Sequence, residues 1–230
     1  MNIRLPQYRT TGIWTMGETA PIIGDDAVAS AVRQIAKPVF LIDYEGQTAA
    51  SHDGSALLGK HPNQLDLDSK THPLLAYVPA LLPDQLGSPI FKEAHGLRFA
   101  YIIGAMANGI TSVQMVKEAG LAGMVGFFGA AGLSVNKIEA AIIQLKKDLI
   151  DRPFGFNLIH SPTDLNLESA TAELYLQHGI HLVSASAYLD ISLPLVKYRV
   201  SGIHRNASGK IVCPNKIVAK VSRIEVARKF

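Results

Sequence analysis

Residues 97–134 read LRFAYIIGAMANGITSVQMVKEAGLAGMVGFFGAAGLS, and this stretch decides the fold. A short apolar run, Phe99 to Ile103, is too brief for a helix and ends at Gly104. Ala105-Met106-Ala107-Asn108-Gly109 follows as a turn. Thr111 or Ser112 then offers an N-cap to a helix in which Val113, Val116 and Ala119 share a face and Gly120 is the stop. A second apolar run, Met124 to Phe128, closes in another turn of small residues, Gly129-Ala130-Ala131-Gly132. The order is strand, turn, helix, strand, turn: one βα unit and the start of the next. Glycine and alanine in both turns allow the backbone to approach something flat or anionic, or simply make the βα loops tight.

The same pattern continues downstream. Apolar runs recur at Phe154–Leu158, His181–Ala185 and Ile217–Val221, and helical periodicity separates most of them. In the clearest helix, Val135 to Leu149, one face holds Ile138, Ala141, Ile142, Leu145 and Leu149, with Ser134 as cap and Lys146 and Lys147 near its negative end. Leu167 to His178 is another, with Asn166 as cap and Gly179 as stop. Tyr198 to Val212 reads instead as a hairpin turning at Asn206-Ala207-Ser208-Gly209. Strands alternating with helices imply a parallel sheet, either open and doubly wound or closed as a (β/α)8 barrel.

Residues up to about position 90 have a different texture. One helix is expected from Asp26 to Ala36, a strand from Val39 to Ile42, and a turn at Tyr44–Gln47 into a weak second strand. From Ser51 to Pro89 the chain is rich in Pro, Asp, His and Gly. The spacing of His52, His61 and His72 there matches no metal site. We expect a small α+β appendage over residues 1–90 and a barrel-type domain over 91–230.

Composition narrows the class. With 48% hydrophobic residues there is ample material for a core, and a net charge of +3 does not suggest a nucleic-acid binder. The lone Cys213 excludes an internal disulfide and fits a reducing cytoplasm, and no apolar run approaches the ~18 residues of a membrane span.

In parallel α/β folds functional groups gather at the carboxyl ends of the strands. Here those positions are Ala105 and Met106, Gly129 and Ala130, Asn157, Ser184 and Ser186, and Lys220. No G-x-G-x-x-G lies between the first strand and helix. Small residues with one amide, hydroxyls and one lysine suit a flavin ring lying against backbone. Asn157 reads equally as an Asx cap. Lys220 is the only charge in Ile217–Val221, and burial in a strand would favour a functional role. His160 could donate a proton or be held in a loop hydrogen bond.

The strings AYIIGAMANGITS, GFFGAAGLS, PFGFNLIHSP, LVSASAYLDIS, YRVSGIHRNASGKIV and AKVSRIEVARKF resemble the PfaD family. Its members are trans-acting enoyl reductases of polyunsaturated fatty acid and polyketide synthases. That family is similar in turn to the 2-nitropropane dioxygenase/nitronate monooxygenase group of FMN-bound (β/α)8 barrels. The resemblance implies FMN as cofactor, NADPH or NADH as reductant, and a trans-2-enoyl thioester on acyl carrier protein as substrate. Synthase subunits are the implied partners. Carried over residue by residue, Gly104, Ala105 and Met106 would meet the flavin through backbone, Asn157 would lie near it, and Lys220 would hydrogen-bond it; no catalytic residue is assigned. A nitronate-oxidising flavoprotein and a non-catalytic half-barrel interaction subunit are the alternatives.

From Leu97 to Phe230 there are 134 residues, against about 250 for a complete barrel. The expectation is therefore the first five βα units of a barrel, a truncated or split form that a complementary C-terminal half would complete. The phosphate-binding loops, which follow strands 7 and 8 in such barrels, would lie in that half.

Overall fold

The structure, a computed structural model, describes residues 10–60, 69–162 and 164–230. The chain divides between Leu86 and Gly87 into two units, the second holding the parallel sheet.

Among the described residues the first unit is a six-stranded antiparallel sheet with one α-helix and a short 3-10 turn at Pro83–Gln85. In chain order its elements are β1 (Gly12–Thr15), β2 (Ile22–Ile23), α1 (Asp25–Arg33), β3 (Val39–Tyr44), β4 (Gln47–Ser51), β5 (Ser55–Leu58) and β6 (Thr71–Val78), arranged β2-β4-β3-β6-β1-β5. Trp14, Phe40, Ile42, Ala49 and Leu74 form its core. The β3–β4 hairpin turns through Glu45 and Gly46, both at positive φ (54° and 80°), with Asp43 accepting from the Gly46 amide at 2.9 Å. That is the two-residue turn that matches strand twist. The Pro-, Asp-, His- and Gly-rich stretch from Ser51 to Pro89, to which the sequence assigns no element, holds β5 and β6. Pro73 hid the eight-residue β6 by interrupting its apolar pattern. Of the three histidines, His61 lies outside the described residues. His52 contacts the Pro38 carbonyl at 2.8 Å, and His72 lies against Trp14 and Tyr44.

The second unit runs α2 (Pro89–His95), β7 (Ile102–Ile103), α3 (Val113–Leu121), β8 (Val125–Phe128), α4 (Val135–Leu149), β9 (Phe154–Ile159), α5 (Leu165–Gln177), β10 (Leu182–Ser186), α6 (Leu193–Val200), a hairpin of β11 (His204–Arg205) and β12 (Ile211–Val212), β13 (Lys216–Ala219) and α7 (Ile224–Ala227). Five strands form one sheet in the order β7-β8-β9-β10-β13, every neighbouring pair parallel. This is a curled half-barrel of α/β type, with βα units in sequence order.

Register separates the two faces. Phe128, Phe156 and Val183 are in-register neighbours, and they pack outward under Ile138, Ile142, Leu145, Tyr175, Leu195 and Tyr198 of the helices. The alternate set faces the other way. Val125, Phe127 and Leu182 join Leu97, with Phe91, Ala105 and Val218 packed against them, as a second cluster on the inner face. Gly155 is required there: a Cβ would lie 2.5 Å from the Phe127 ring. On the outer face Gly126 plays the same part, since a Cβ would come within 2.9 Å of Val116 in α3.

Several local expectations change. The first strand is only Ile102–Ile103, because the Arg98 and Phe99 amides turn instead to the Gly123 carbonyl. Helix α3 passes through Gly120, which faces Leu149, and turns off at Gly123 (φ 83°). Asp164, not Asn166, caps α5 by accepting from the Leu167 amide at 3.1 Å. Tyr198 lies inside α6 with its hydroxyl donating to the Ile180 carbonyl, so the hairpin is confined to β11 and β12. No helix among the described residues is long and apolar enough to cross a membrane.

Candidate functional site

Polar side chains on the inner face concentrate at the carboxyl ends of the strands, above the apolar cluster of Phe127, Leu182 and Val218. Asn157 is directly opposite Ser184 in the β9–β10 register, so their side chains share the inner face. Ser186 follows Ser184 by two and is on that face too. The Asn157 amide nitrogen and the Ser184 and Ser186 hydroxyls are buried and have no hydrogen-bond partner among the described residues. Buried polar groups are ordinarily paired, and leaving one unpaired costs about 1–3 kcal/mol. Three such groups on two adjacent strands form a layer of unused hydrogen-bonding capacity. Asn157 makes no Asx cap: it lies within β9, and its own carbonyl accepts from the buried Tyr175 hydroxyl at 2.7 Å.

The loops after β7 and β8 lie against one another. The Thr111 side chain, fully buried, donates to the Gly104 carbonyl and accepts from the Met106 amide, each at 2.8 Å. Ser112 beside it caps α3. The Asn108 amide donates to Ala131, and the Gly109 amide to Gly129. A Cβ on Gly129 would lie 1.7 Å from the Met106 carbonyl oxygen, so only glycine fits. What Gly129 approaches closely is therefore the neighbouring loop. Gly104 differs: the one group near its missing Cβ is the Lys220 ammonium, at 3.7 Å.

Lys220 corrects an expectation. It lies one residue past β13 and is exposed, not buried within the strand. Its ammonium reaches the Ala105 carbonyl at 3.4 Å. Gly104, Ala105 and Lys220 are thus brought together, Met106 follows at 44% exposure, and Asn157 lies in the polar layer of β9.

One cluster escaped sequence reasoning. Glu168 on α5, 1% exposed, accepts from His160 Nδ1 and the Tyr188 hydroxyl, each at 2.9 Å, and from the Ser192 hydroxyl. The Ser161 amide donates to it at 3.4 Å. Burial acts to raise the Glu168 pKa, but the donors from Ser192, His160, Tyr188 and Ser161 outweigh it and hold the carboxyl below its ordinary value. Burial and the Glu168 charge raise the Tyr188 phenol, keeping it a donor. The cluster ties the loop after β9 to the loop after β10, next to Ala187, a non-glycine residue at φ 63°. His160 is the hydrogen-bonded loop histidine of the two expectations. The available signal was a glutamate in the first turn of an expected helix, close in sequence to His160.

No family model matches the chain. It is 40% identical over 148 residues to the polyketide biosynthesis protein PksE of Bacillus subtilis (strain 168), covering 64% of this chain and 19% of that protein. It is also 41% identical over 153 residues to the polyketide biosynthesis protein ThaF of Burkholderia thailandensis, covering 66% of this chain and 13% of that protein. A polyunsaturated fatty acid synthase polypeptide of Thraustochytrium sp. is 40% identical over 152 residues, or 66% of this chain and 10% of its own length. Among solved structures, the enoyl reductase domain of MlnA from the macrolactin biosynthesis cluster of Bacillus amyloliquefaciens matches with a TM-score of 0.61 and 42% identity, over 63% of this chain and 33% of that domain. The chain thus spans a fifth or less of these three curated relatives and a third of the MlnA domain. Over the stretch they share, the chain is a homologue of the PfaD/PksE-type proteins of polyketide and polyunsaturated fatty acid synthesis.

Proposed function

We propose that the chain is part of an FMN-dependent enoyl reductase of polyunsaturated fatty acid or polyketide biosynthesis, acting on trans-2-enoyl thioesters carried by acyl carrier protein. The observation that carries this reading is the unpaired polar layer of Asn157, Ser184 and Ser186 at the strand ends, in a fold that is 42% identical to an enoyl reductase domain. A flavin ring has a polar edge of carbonyl and imide groups, and these side chains offer it an amide donor and two hydroxyls. Such a cofactor supplies hydride transfer from a reduced nicotinamide to the β-carbon of the enoyl thioester.

The residues of this chain have their own tasks. Asn157 presents its amide N–H to an acceptor, satisfying a group that is otherwise buried at a cost. Lys220 places a positive charge beside Gly104 and Ala105, where it stabilises electron density on a bound ring edge. Gly104 leaves open space next to that charge. Phe127, Leu182 and Val218 form an apolar floor that keeps water from the layer above. Thr111 fixes the Gly104–Met106 backbone that would lie against the ring. These groups serve the ring side of FMN.

The test is steady-state assay of this chain combined with the remainder of the MlnA enoyl reductase domain, expressed as a separate polypeptide. NADPH oxidation that depends on a trans-2-enoyl thioester supports the proposal. Oxygen uptake driven by a nitronate, with no enoyl-dependent oxidation, would replace it with the nitronate-oxidising alternative.

A further inference from the structure

At the amino ends of the parallel strands, opposite the polar layer of Asn157, Ser184 and Ser186, lies a hollow of about 320 Å³. Strands β9 and β10 begin there, at Phe154 and Leu182. Each has a described strand on both sides, so the hollow belongs to the middle of the sheet and not to its edge. Its floor is apolar. Ile180 and Leu182 are buried, and Phe154 packs against the outer core. Its rim is basic: His95, Arg152, His181 and Lys216 line it, and no carboxylate does among the described residues. Glu93 and Asp151, their neighbours in sequence, are exposed and stand outside the lining.

The charges at this rim are not neutralised. The Lys216 ammonium donates to the Ala94 carbonyl, near the end of α2, and pairs with no carboxylate among the described residues. The Arg152 side chain makes no hydrogen bond or ion pair among them. His181 Nδ1 donates to the Asn215 side-chain oxygen at 2.8 Å, because the Asn215 amide nitrogen is committed to the Tyr198 and Ser201 carbonyls. That leaves His181 Nε2 as an acceptor. It is the one atom near the missing Cβ of Gly179, at 3.8 Å, so glycine keeps the space beside it open. Burial, and then the Lys216 charge, hold the His95 pKa below its ordinary value. The positive charge at neutral pH therefore comes from Arg152 and Lys216.

We propose that this hollow binds a phosphate monoester with an apolar body, its phosphate held by Arg152 and Lys216 and its body lying on Phe154, Ile180 and Leu182. Three features select that chemistry. Two unpaired cations match the roughly −1.5 to −2 charge of a phosphate monoester, where a carboxylate would match only one. A guanidinium presents a fork of donors suited to phosphate oxygens. The hollow is far larger than an inorganic anion and falls in the ~300–1,000 Å³ range of small-molecule sites, with apolar walls to cover an organic group. His181 Nε2 offers an acceptor to a hydroxyl on that group. The site is separate from the candidate ring-binding residues, which occupy the carboxyl ends.

The experiment is calorimetric titration of the 230-residue chain with phenyl phosphate, inorganic phosphate and benzoate, each without flavin or nicotinamide. Phenyl phosphate should bind 1:1 and about tenfold or more tighter than either of the others. Arg152→Gln and Lys216→Met should each weaken it about tenfold or more. Lys220→Met removes the same charge at the carboxyl ends and should leave it unchanged. Arg152 is exposed and outside the strands, so its arm remains decisive if Lys216→Met disturbs the end of α2. Equal binding of inorganic phosphate would show that the apolar floor contributes nothing, and equal binding of benzoate that phosphate is not preferred; either overturns the proposal. So would an absence of binding, or binding that Lys220→Met weakens while Arg152→Gln and Lys216→Met do not. The readout contains no flavin, so its outcome is independent of the enoyl reductase reading.

Discussion

The Lys220 ammonium lies 3.4 Å from the carbonyl oxygen of Ala105, although the two residues follow strands at opposite edges of the sheet. Five strands spaced about 4.8 Å apart would place those edges roughly 19 Å apart if the sheet were flat. A lysine side chain cannot span that distance. The contact is therefore a measure of curl: the sheet bends until its first and last carboxyl ends face each other over the inner surface. Curvature brings the candidate ring-binding residues together, since Gly104 and Ala105 come from one edge and Lys220 from the other.

Thr111 should be the most sensitive residue of the loop that carries Ala105 and Met106. Thr111→Val keeps shape but leaves the Gly104 carbonyl and the Met106 amide without the hydroxyl they share. Loss of about 1–3 kcal/mol is expected in urea denaturation. A change within a few tenths of a kcal/mol would mean that the loop is held by other contacts.

Gly129→Ala should destabilise for a different reason. The added methyl would collide with the Met106 carbonyl, which is backbone and has little room to retreat. About 1–3 kcal/mol, the usual range for overpacking, is expected in the same measurement. Gly46→Ala serves as the comparison: its missing Cβ meets open space, so the cost there comes from its positive φ alone.

Glu168 gives stability a defined pH dependence. Its folded pKa lies below its ordinary value, so the unfolded chain takes up the proton first as pH falls. Its contribution is therefore complete above the unfolded value of about 4.3 and is lost as pH drops through the lower, folded one. Glu168→Gln should cost about 1.5–3 kcal/mol at pH 7, the range for hydrogen bonds to a charged group. The gap between variant and parent should narrow below pH 4. Parallel pH profiles of the two proteins would show that the carboxylate charge contributes nothing.

Tyr175→Phe tests whether the Asn157 segment is held from the helical side. The buried hydroxyl donates to the Asn157 carbonyl at 2.7 Å, and its removal should cost about 0.5–1.5 kcal/mol. Amide exchange at Asn157 and Leu158 should accelerate with it. Unchanged protection would assign the rigidity of β9 to its strand neighbours.

Sequence reasoning reached the parallel series because each βα unit repeats two strong periodicities. Val135–Leu149 is a 15-residue amphipathic helix, and Phe154–Ile159 is a short apolar run between loops. It failed where one signal masked another. Pro73 concealed β6, and Tyr198, an aromatic core residue of α6, was drawn into the hairpin that follows. Asn157, Ser184 and Ser186 could be placed at strand ends, but their unpaired burial depends on register between β9 and β10, which no single segment encodes. Lys220 has apolar neighbours and reads as buried, yet it follows the last strand of the described sheet and is exposed. The Glu168 cluster joins four separate loop and helix positions and becomes visible only once the chain is folded.

The central claim is that the carboxyl-end layer receives the flavin ring, and fluorescence titration with FMN tests it most directly. The 230-residue chain alone should bind FMN more weakly than a complex that adds the unmatched part of the MlnA domain and its further contacts, since charge-assisted hydrogen bonds are worth about 1.5–3 kcal/mol each. Its complex with the remainder of the MlnA domain should bind FMN stoichiometrically. Asn157→Ala and Lys220→Met should each weaken that binding by about tenfold or more. Binding by the complex that is indifferent to both substitutions, or tight stoichiometric binding by the chain alone, would contradict the account.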